Sequence, residues 1–253
     1  MLSRIYKYRH QFTTLDAMKL VAIVAMVADH AAYYLGDNEE EWRTLGRVAA
    51  PMFFFVAGFV SRPGRAQQAG GAAFWNESNA ILLFYGLVLT ALNGLMREGG
   101  LYINILLVIL LVKRWFTRWD PLAWSHLSLT LLTAVLLLGN ELFSHSVEYG
   151  LLGLSYALSG RLLAGGRRRF AASLLAAIVV VQFGRYLSFK ENQALLLSTA
   201  LFLWAAFCIF RLRNVSLPVW FKNPLLACSR YSLEIYFFHL AALKLYYICS
   251  VVT

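Results

Sequence analysis

Long apolar runs recur along the whole chain, and they constrain its fold more than any other feature. Of the 253 residues, 60% are hydrophobic and 14% are charged, whereas a soluble domain has about 25% charged residues. Runs of about 20 apolar residues can cross a bilayer as helices, and no polar stretch is long enough to fold alone. The sequence therefore predicts one all-α domain over residues 1–253, a polytopic transmembrane helix bundle.

About nine membrane spans are predicted. They lie at residues 16–35, 46–61, 78–96, 101–116, 122–140, 147–164, 170–188, 194–211 and 226–250. The second and fourth spans are short for a bilayer crossing. Short spans interrupted by polar residues indicate short or broken helices that end inside the protein, around a polar cavity.

The segments between the spans alternate in charge. Most of the Lys and Arg residues in these segments fall in the odd-numbered ones, beginning with residues 1–10. Because cytoplasmic loops are enriched in Lys and Arg, this alternation predicts a cytoplasmic N-terminus and a C-terminus on the outer, periplasmic side. Topology thus accounts for most of the net charge of +10, and no nucleic-acid partner is expected. The first apolar run lacks a small-residue cleavage site, so it is interpreted as a retained span.

The first predicted span contains four ionisable residues, which are costly in lipid and usually functional. Asp16, Lys19 and His30 share one face of a helix, with Lys19 and His30 about 16 Å apart along its axis. His30 could act as a general base near neutral pH, or be a structural residue bonded to a carbonyl. Asp29 lies about 100° from this face, so it cannot be assumed to point into the same cavity.

Arg47 begins the second span on the outer side, level with the end of the first. It could hold a carboxylate or polarise an acyl carbonyl, or be a boundary arginine that reaches to the membrane surface. Asp29 could pair with Arg47 or act beside His30. Asn104, in the first turn of the fourth span, could either cap a helix or project into the cavity.

The last span, in the stretch "SRYSLEIYFFHLAALKL", places His239 at a depth similar to that of His30. Ser232 and Tyr236 share the helix face of His239. The histidine could take part in chemistry or make an interhelical hydrogen bond. We therefore predict a polar site whose substrate-binding side chains are Lys19, Asn104, Tyr236 and Ser232.

The densest basic cluster is Arg167, Arg168 and Arg169. It could anchor the topology or clamp phosphate groups on the cytoplasmic side. The cysteines are interpreted as small apolar residues, because they form no CxxC motif. His145 lies between Glu141 and Glu148 without a second ligand cluster, so no metal is expected.

Three stretches resemble integral-membrane acyltransferases of the acyltransferase-3 type. "LDAMKLVAIVAMVADH" is similar to their LDxxR…H block, with Lys19 in place of Arg. "APMFFFVAGFV" is similar to their FFxxSGF segment, and "SRYSLEIYFFHLAAL" to their closing segment. The blocks "KLVAIVAMVADH", "LGRVAAPMF" and "FFHLAAL" resemble the TraX family still more closely.

The resemblance implies an enzyme that moves an acetyl group from acetyl-CoA, bound on the cytoplasmic side, to an acceptor at the membrane or outer face. It implies a bacterial inner membrane, and a pilin-like N-terminal amine as acceptor. It places His30 at the catalytic-histidine position and Asp29, Arg47 and His239 at the other polar motif positions. A cation such as Lys19 below His30 would suit a donor with a charged head and a long acyl-bearing arm.

Two other functions stay open. The acceptor could be a hydroxyl of an exported glycan or a lipid, since the site chemistry would be nearly the same. A proton-coupled transporter or channel could use Asp29, His30, Glu234 and His239 as a relay. Transporters usually consist of two related halves, and the sequence shows no such symmetry.

Overall fold

The computed structural model describes residues 12–36, 42, 46, 49–61, 77–96, 103–140, 150–189, 214–215 and 217–252. These residues form nine α-helices. The helices are α1 (Thr14–Leu35), α2 (Ala49–Val60), α3 (Glu77–Leu95), α4 (Ile105–Arg118), α5 (His126–Leu138), α6 (Gly150–Ala164), α7 (Arg168–Phe189), α8 (Val219–Arg230) and α9 (Ser232–Val252). A 3-10 turn, Pro121–Ala123, connects α4 to α5.

Two short strands, which the sequence did not predict, join the start of the described chain to the segment before α8. Strand β1 (Phe12–Thr13) pairs antiparallel with β2 (Asn214–Val215). Apart from this pair and the 3-10 turn, the regular structure of the described residues is α-helical, as predicted.

Local signals define both ends of α1. Thr13 caps the helix, because its side chain accepts from the backbone N–H of Asp16 while the Asp16 carboxylate accepts from the backbone N–H of Thr13. Gly36 ends the helix with φ of 89°, a left-handed conformation that glycine adopts without steric cost. These caps confirm the first predicted helix to within two residues at its start.

The core of the bundle is built on α2 and α6, which pack along their length. The largest fully buried side chains come from α2, α4, α6 and α7, together with one from α3 and one from α5. Helix α1 packs on α2 and on α9, and α3 packs on α4 and α9. This arrangement places the polar residues of α1 and α9 against each other beside α2.

Helices α1 and α9 run in the same direction. Three hydrogen bonds connect α1 to α8 and α9. Their residue numbers increase together on both sides, as they do between parallel segments. They join Asp16 to Ser229, His30 to His239, and Tyr34 to Lys244.

The structure corrects the boundaries of two predicted spans. The predicted span 226–250 is two helices, because α8 ends at Arg230 and α9 begins at Ser232. The predicted span 122–140 begins with the 3-10 turn, and its helix starts only at His126. The predicted span 194–211 lies outside the described residues.

Among the described residues, α3 is the one helix that combines the length and hydropathy of a membrane span. Helices α2 and α5 are apolar but shorter. The count of nine spans therefore stays a prediction.

Candidate functional site: a pair of histidines beside a cleft

The centre of the candidate site is a direct contact between two imidazoles that are 209 residues apart in the sequence. Nδ1 of His30, on α1, lies 2.8 Å from Nε2 of His239, on α9. The ring planes are inclined by 18°, with centroids 5.0 Å apart. The distance is that of a good hydrogen bond, so one ring donates and the other accepts.

The second nitrogen of His239 is also bonded. Its Nδ1 lies 2.6 Å from the backbone carbonyl oxygen of Ile235, one turn earlier on α9. The ring of Tyr236 stands edge-on to both imidazoles, 6.0 Å from each. His239 is thus held by its own helix and by α1, and Tyr236 restricts the space around the pair.

A cleft opens beside His30 and encloses about 280 Å³ of empty space, part of it open to the outside. Helices α1, α2, α4 and α9 and Gly46 line it. The lining residues are Met26, Asp29, His30, Gly46, Ala49, Ala50, Phe53, Ile105 and Tyr236. Because this figure includes open solvent, the enclosed part of the cleft is far smaller, about 20 Å³, which is room for about one water molecule. A larger group beside the imidazole would therefore extend through the open side of the cleft.

Asp29 lines the same cleft as His30, although its angle on the helix alone did not place it there. Gly46 packs against the Asp29 side chain and the carbonyl oxygen of Ala25, and a Cβ at position 46 would collide with the Asp29 side chain. The absence of a side chain at Gly46 therefore lets the segment before α2 approach α1 at the site. Arg47 lies outside the described residues, so its predicted pairing with Asp29 stays a prediction.

The predicted substrate-binding residues are spread over different parts of the bundle. Tyr236 lines the cleft, but Lys19, Asn104 and Ser232 are not among its lining residues. Asn104 is 3% exposed, and its Oδ1 caps α4 by accepting from the backbone N–H of Leu106 at 2.9 Å. Lys19 lies near Asp16, with which it interacts electrostatically, and Ser232 is the first residue of α9.

The arginine cluster divides into two kinds of residue. Arg167 donates to the backbone carbonyl oxygens of Trp124 and Leu122, at 2.9 and 2.8 Å. It therefore fastens the turn between α4 and α5 to the start of α7. Arg168 and Arg169 are exposed. The predicted phosphate contact thus rests on these two side chains.

Sequence reasoning missed two groups of residues around the site. The cleft exists because three of its lining residues are small, namely Gly46, Ala49 and Ala50. In the sequence they are recognisable as small residues at helical spacing. Lys244 is a buried cation on α9, bonded to Tyr34. An ionisable residue inside a predicted span was again the signal. Among the described residues, no three side chains of the metal-ligating types cluster together.

The fold and the site define a class of protein, a helical bundle with a hydrogen-bonded pair of histidines beside a small cleft. The sequence matches the TraX protein family over residues 14–246, nearly the whole chain. The chain belongs to the TraX family.

One relative shares a shorter stretch with this chain. Over 96 residues the chain is 29% identical to an uncharacterized protein of Rickettsia prowazekii (strain Madrid E). The matched stretch covers 38% of this chain and 34% of that protein, so the chain spans about a third of the length of this relative. No solved structure is significantly similar to this chain.

Proposed function

We propose that this TraX-family protein is a membrane-embedded acyltransferase that moves an acetyl group from acetyl-CoA to an amine presented at the membrane or at its outer face. The acceptor we propose is the N-terminal amine of a pilin-like protein. One observation carries the proposal above all others. It is the hydrogen bond between His30 and His239 beside a cleft that opens to the outside, through which a substrate group can reach the imidazole.

The hydrogen bonds assign the protons on the two rings. The Ile235 carbonyl oxygen can only accept, so Nδ1 of His239 carries a proton and donates to it. In a neutral His239, Nε2 then has a lone pair and accepts from Nδ1–H of His30. In a neutral His30, Nε2 is therefore the nitrogen with the free lone pair, the form that a general base requires.

The reaction follows from this assignment. The acceptor amine attacks the carbonyl carbon of the thioester, and Nε2 of His30 removes a proton from the amine as the C–N bond forms. Nδ1–H of His30 remains bonded to His239, which stabilises the positive charge on the pair. The C–S bond then breaks, and the leaving thiolate receives the proton. The products are an amide and free CoA.

Asp29 would support the same step. A carboxylate that lines the cleft beside His30 favours an imidazolium over a neutral ring, because opposite charges attract. The cleft also favours a short acyl group, since Phe53 and Ile105 line it and its enclosed part measures only about 20 Å³. An acetyl group can approach the imidazole through the open side of the cleft, whereas a long acyl chain finds no room inside it.

The direct test is acetyl transfer by the purified protein in lipid nanodiscs. Labelled acetyl-CoA is supplied with peptides that bear a free N-terminal amine, and mass spectrometry identifies the acetylated product. We expect transfer by the unaltered protein and a loss of roughly 10²–10⁴-fold with His30→Gln. His126→Gln is the matched control, because His126 is exposed at the start of α5. Absence of both donor binding and turnover in the unaltered protein would contradict the proposal.

Hydroxyl acceptors are the alternative substrates. Nε2 of His30 could remove a proton from a hydroxyl in the same position as from an amine. The same assay therefore includes glycan and lipid acceptors. If only hydroxyls are acetylated, the proposed acetyltransferase activity holds, but the acceptor is a hydroxyl and not an amine.

A proton-coupled transporter is the second candidate, because bonded imidazoles can also pass protons. The described hydrogen bonds stop at the Ile235 carbonyl oxygen, which cannot carry a proton onward. Oε2 of Glu234, one residue earlier, is buried and has no hydrogen-bond partner among the described residues. This gap favours the acyltransferase. Proton flux into liposomes, measured with a pH-sensitive dye and without donor, would favour the transporter.

A further inference from the structure

A buried lysine on α9 has no part in the proposed transfer. Lys244 is 4% exposed, and its Nζ donates to the hydroxyl of Tyr34 at 2.6 Å. Nζ also lies 5.2 Å from the centre of the Tyr34 ring and 3.8 Å from Sδ of Met96. A lysine inside a membrane helix costs about 2.5–3.5 kcal/mol, so packing alone does not explain it.

The contact lies directly beyond the imidazole pair. Tyr34 follows His30 by four residues on α1, which is about 6 Å along the helix axis. Lys244 follows His239 by five residues on α9, or about 7.5 Å. Both hydrogen bonds therefore connect the same two parallel helices, about one turn apart.

A second polar contact lies on the other side of the imidazoles but much farther away. The hydroxyl of Ser229 donates to Asp16 at 2.7 Å, fourteen residues before His30, or about 21 Å along α1. Asp16 also belongs to the capping box with Thr13. This contact anchors the start of α1, whereas the contact of Tyr34 is close enough to control the helices where the imidazoles meet.

We infer that the hydrogen bond between Tyr34 and Lys244 is a positioning contact, which fixes the register of α1 against α9 and keeps Nε2 of His239 within hydrogen-bond distance of Nδ1 of His30. Because the 2.8 Å contact crosses between the helices, a slip of about half a helix turn along their axes, roughly 2.7 Å, lengthens it to about 3.9 Å and breaks it. That the Tyr34–Lys244 bond holds the two imidazoles together does not depend on the activity of the protein. That its loss lowers kcat rests on the proposed function.

The test begins with Tyr34→Phe, which removes only the hydroxyl that accepts from Lys244. The protein is labelled with ¹⁵N in its histidines and placed in nanodiscs, and NMR detects the coupling across the N–H···N bond between the two imidazoles. The His239→Gln variant assigns that signal. We expect the coupling in the unaltered protein and its loss in Tyr34→Phe. In the transfer assay we expect kcat to fall roughly 10–100-fold with KM for acetyl-CoA unchanged.

Ser229→Ala is the matched control, because it also removes one hydrogen bond that ties α1 to the C-terminal helices. It should keep both the coupling and kcat. Lys244→Met should repeat the result of Tyr34→Phe, and if Lys244→Met does not fold, Tyr34→Phe decides alone.

Retention of the coupling and of kcat in Tyr34→Phe would overturn the inference. Loss of the coupling in Ser229→Ala as well would also overturn it, since the Tyr34 contact would then have no special role. If the unaltered protein transfers no acetyl group, the NMR result still decides the positioning role. Failure of the proposed function and failure of this inference are thus distinguishable.

Discussion

Two helix pairs of the same bundle are held together in different ways. Helices α2 and α6 fit by shape, because glycines let their backbones touch. A Cβ on Gly58 would collide with the backbone of Ala157, and one on Gly160 with the carbonyl oxygen of Phe55. Small residues at such crossings are a common means of packing helices in membranes.

Helices α1 and α9 instead meet through polar side chains, the pairs His30–His239 and Tyr34–Lys244. Hydrogen bonds between membrane helices stabilise by only about 0.6–2 kcal/mol each, so apolar packing could replace them for stability. The comparison separates two functions of the bundle. Helices α2 and α6 hold the fold together, and α1 and α9 present groups that can do chemistry.

The largest effect is expected at the tight crossing of α2 and α6. In Gly58→Leu the new side chain meets backbone atoms that cannot move aside, and overpacking costs about 1–3 kcal/mol or more. We expect little monodisperse protein in size-exclusion chromatography of a fluorescent fusion. Gly94→Leu on α3 is the control, because a Cβ there has no neighbour within 4 Å. Equal yields of the two variants would contradict the tight crossing.

On the face of α2 that lines the cleft, we expect a loss of activity with little loss of stability. Ala50→Leu fills space beside His30, so acetyl transfer should fall by roughly 10-fold or more because the acyl group is displaced. The melting temperature in detergent should change much less than in Gly58→Leu, since the cleft is partly open and the new side chain can extend toward the outside. Unchanged transfer would show that the acyl group binds elsewhere.

A smaller effect is expected for the charge of Asp29. Asp29→Asn keeps the shape beside Gly46 but removes the carboxylate that favours the imidazolium. A loss of about 1.4 kcal/mol in the transition state lowers kcat about tenfold, which initial rates at saturating donor measure. A drop in yield instead of kcat would make Asp29 a structural residue.

The smallest effects are expected in the arginine cluster. Arg167→Ala removes two hydrogen bonds to carbonyl oxygens of the turn before α5, and should lower the free energy of unfolding by about 1–2 kcal/mol. Arg168→Ala and Arg169→Ala should change it by less than about 0.5 kcal/mol. Thermal unfolding of the three variants checks the difference. A raised KM for acetyl-CoA in the exposed pair alone would support their predicted phosphate contact.

Much of the fold could be predicted because its signals are local. The apolar run after Thr13 and Asp16 and the stop at Gly36 define α1 without any tertiary information. The break at Tyr231 was missed, although the polar residues Ser229, Arg230 and Ser232 flank it, because the apolar residues on both sides were assigned to one long span.

The site could be predicted only in part. The polar residues His30 and His239 stood out at similar depths, yet their contact depends on the parallel packing of two helices 209 residues apart. The cleft depends on Ala49 and Ala50, which look like ordinary packing residues in a sequence. Lys244, like the histidines, is an ionisable residue inside a predicted span. It was overlooked because it belongs to none of the sequence blocks that resemble the family.

The central claim is that His30 and His239 act as one unit, and a double-variant cycle tests it most directly. Initial rates of acetyl transfer are measured for His30→Gln, His239→Gln and the double variant in the same nanodiscs. Because residues that act as a unit are not additive, the double variant should be no slower than the worse single variant. Losses that multiply in the double variant, or full activity in His239→Gln, would contradict the account.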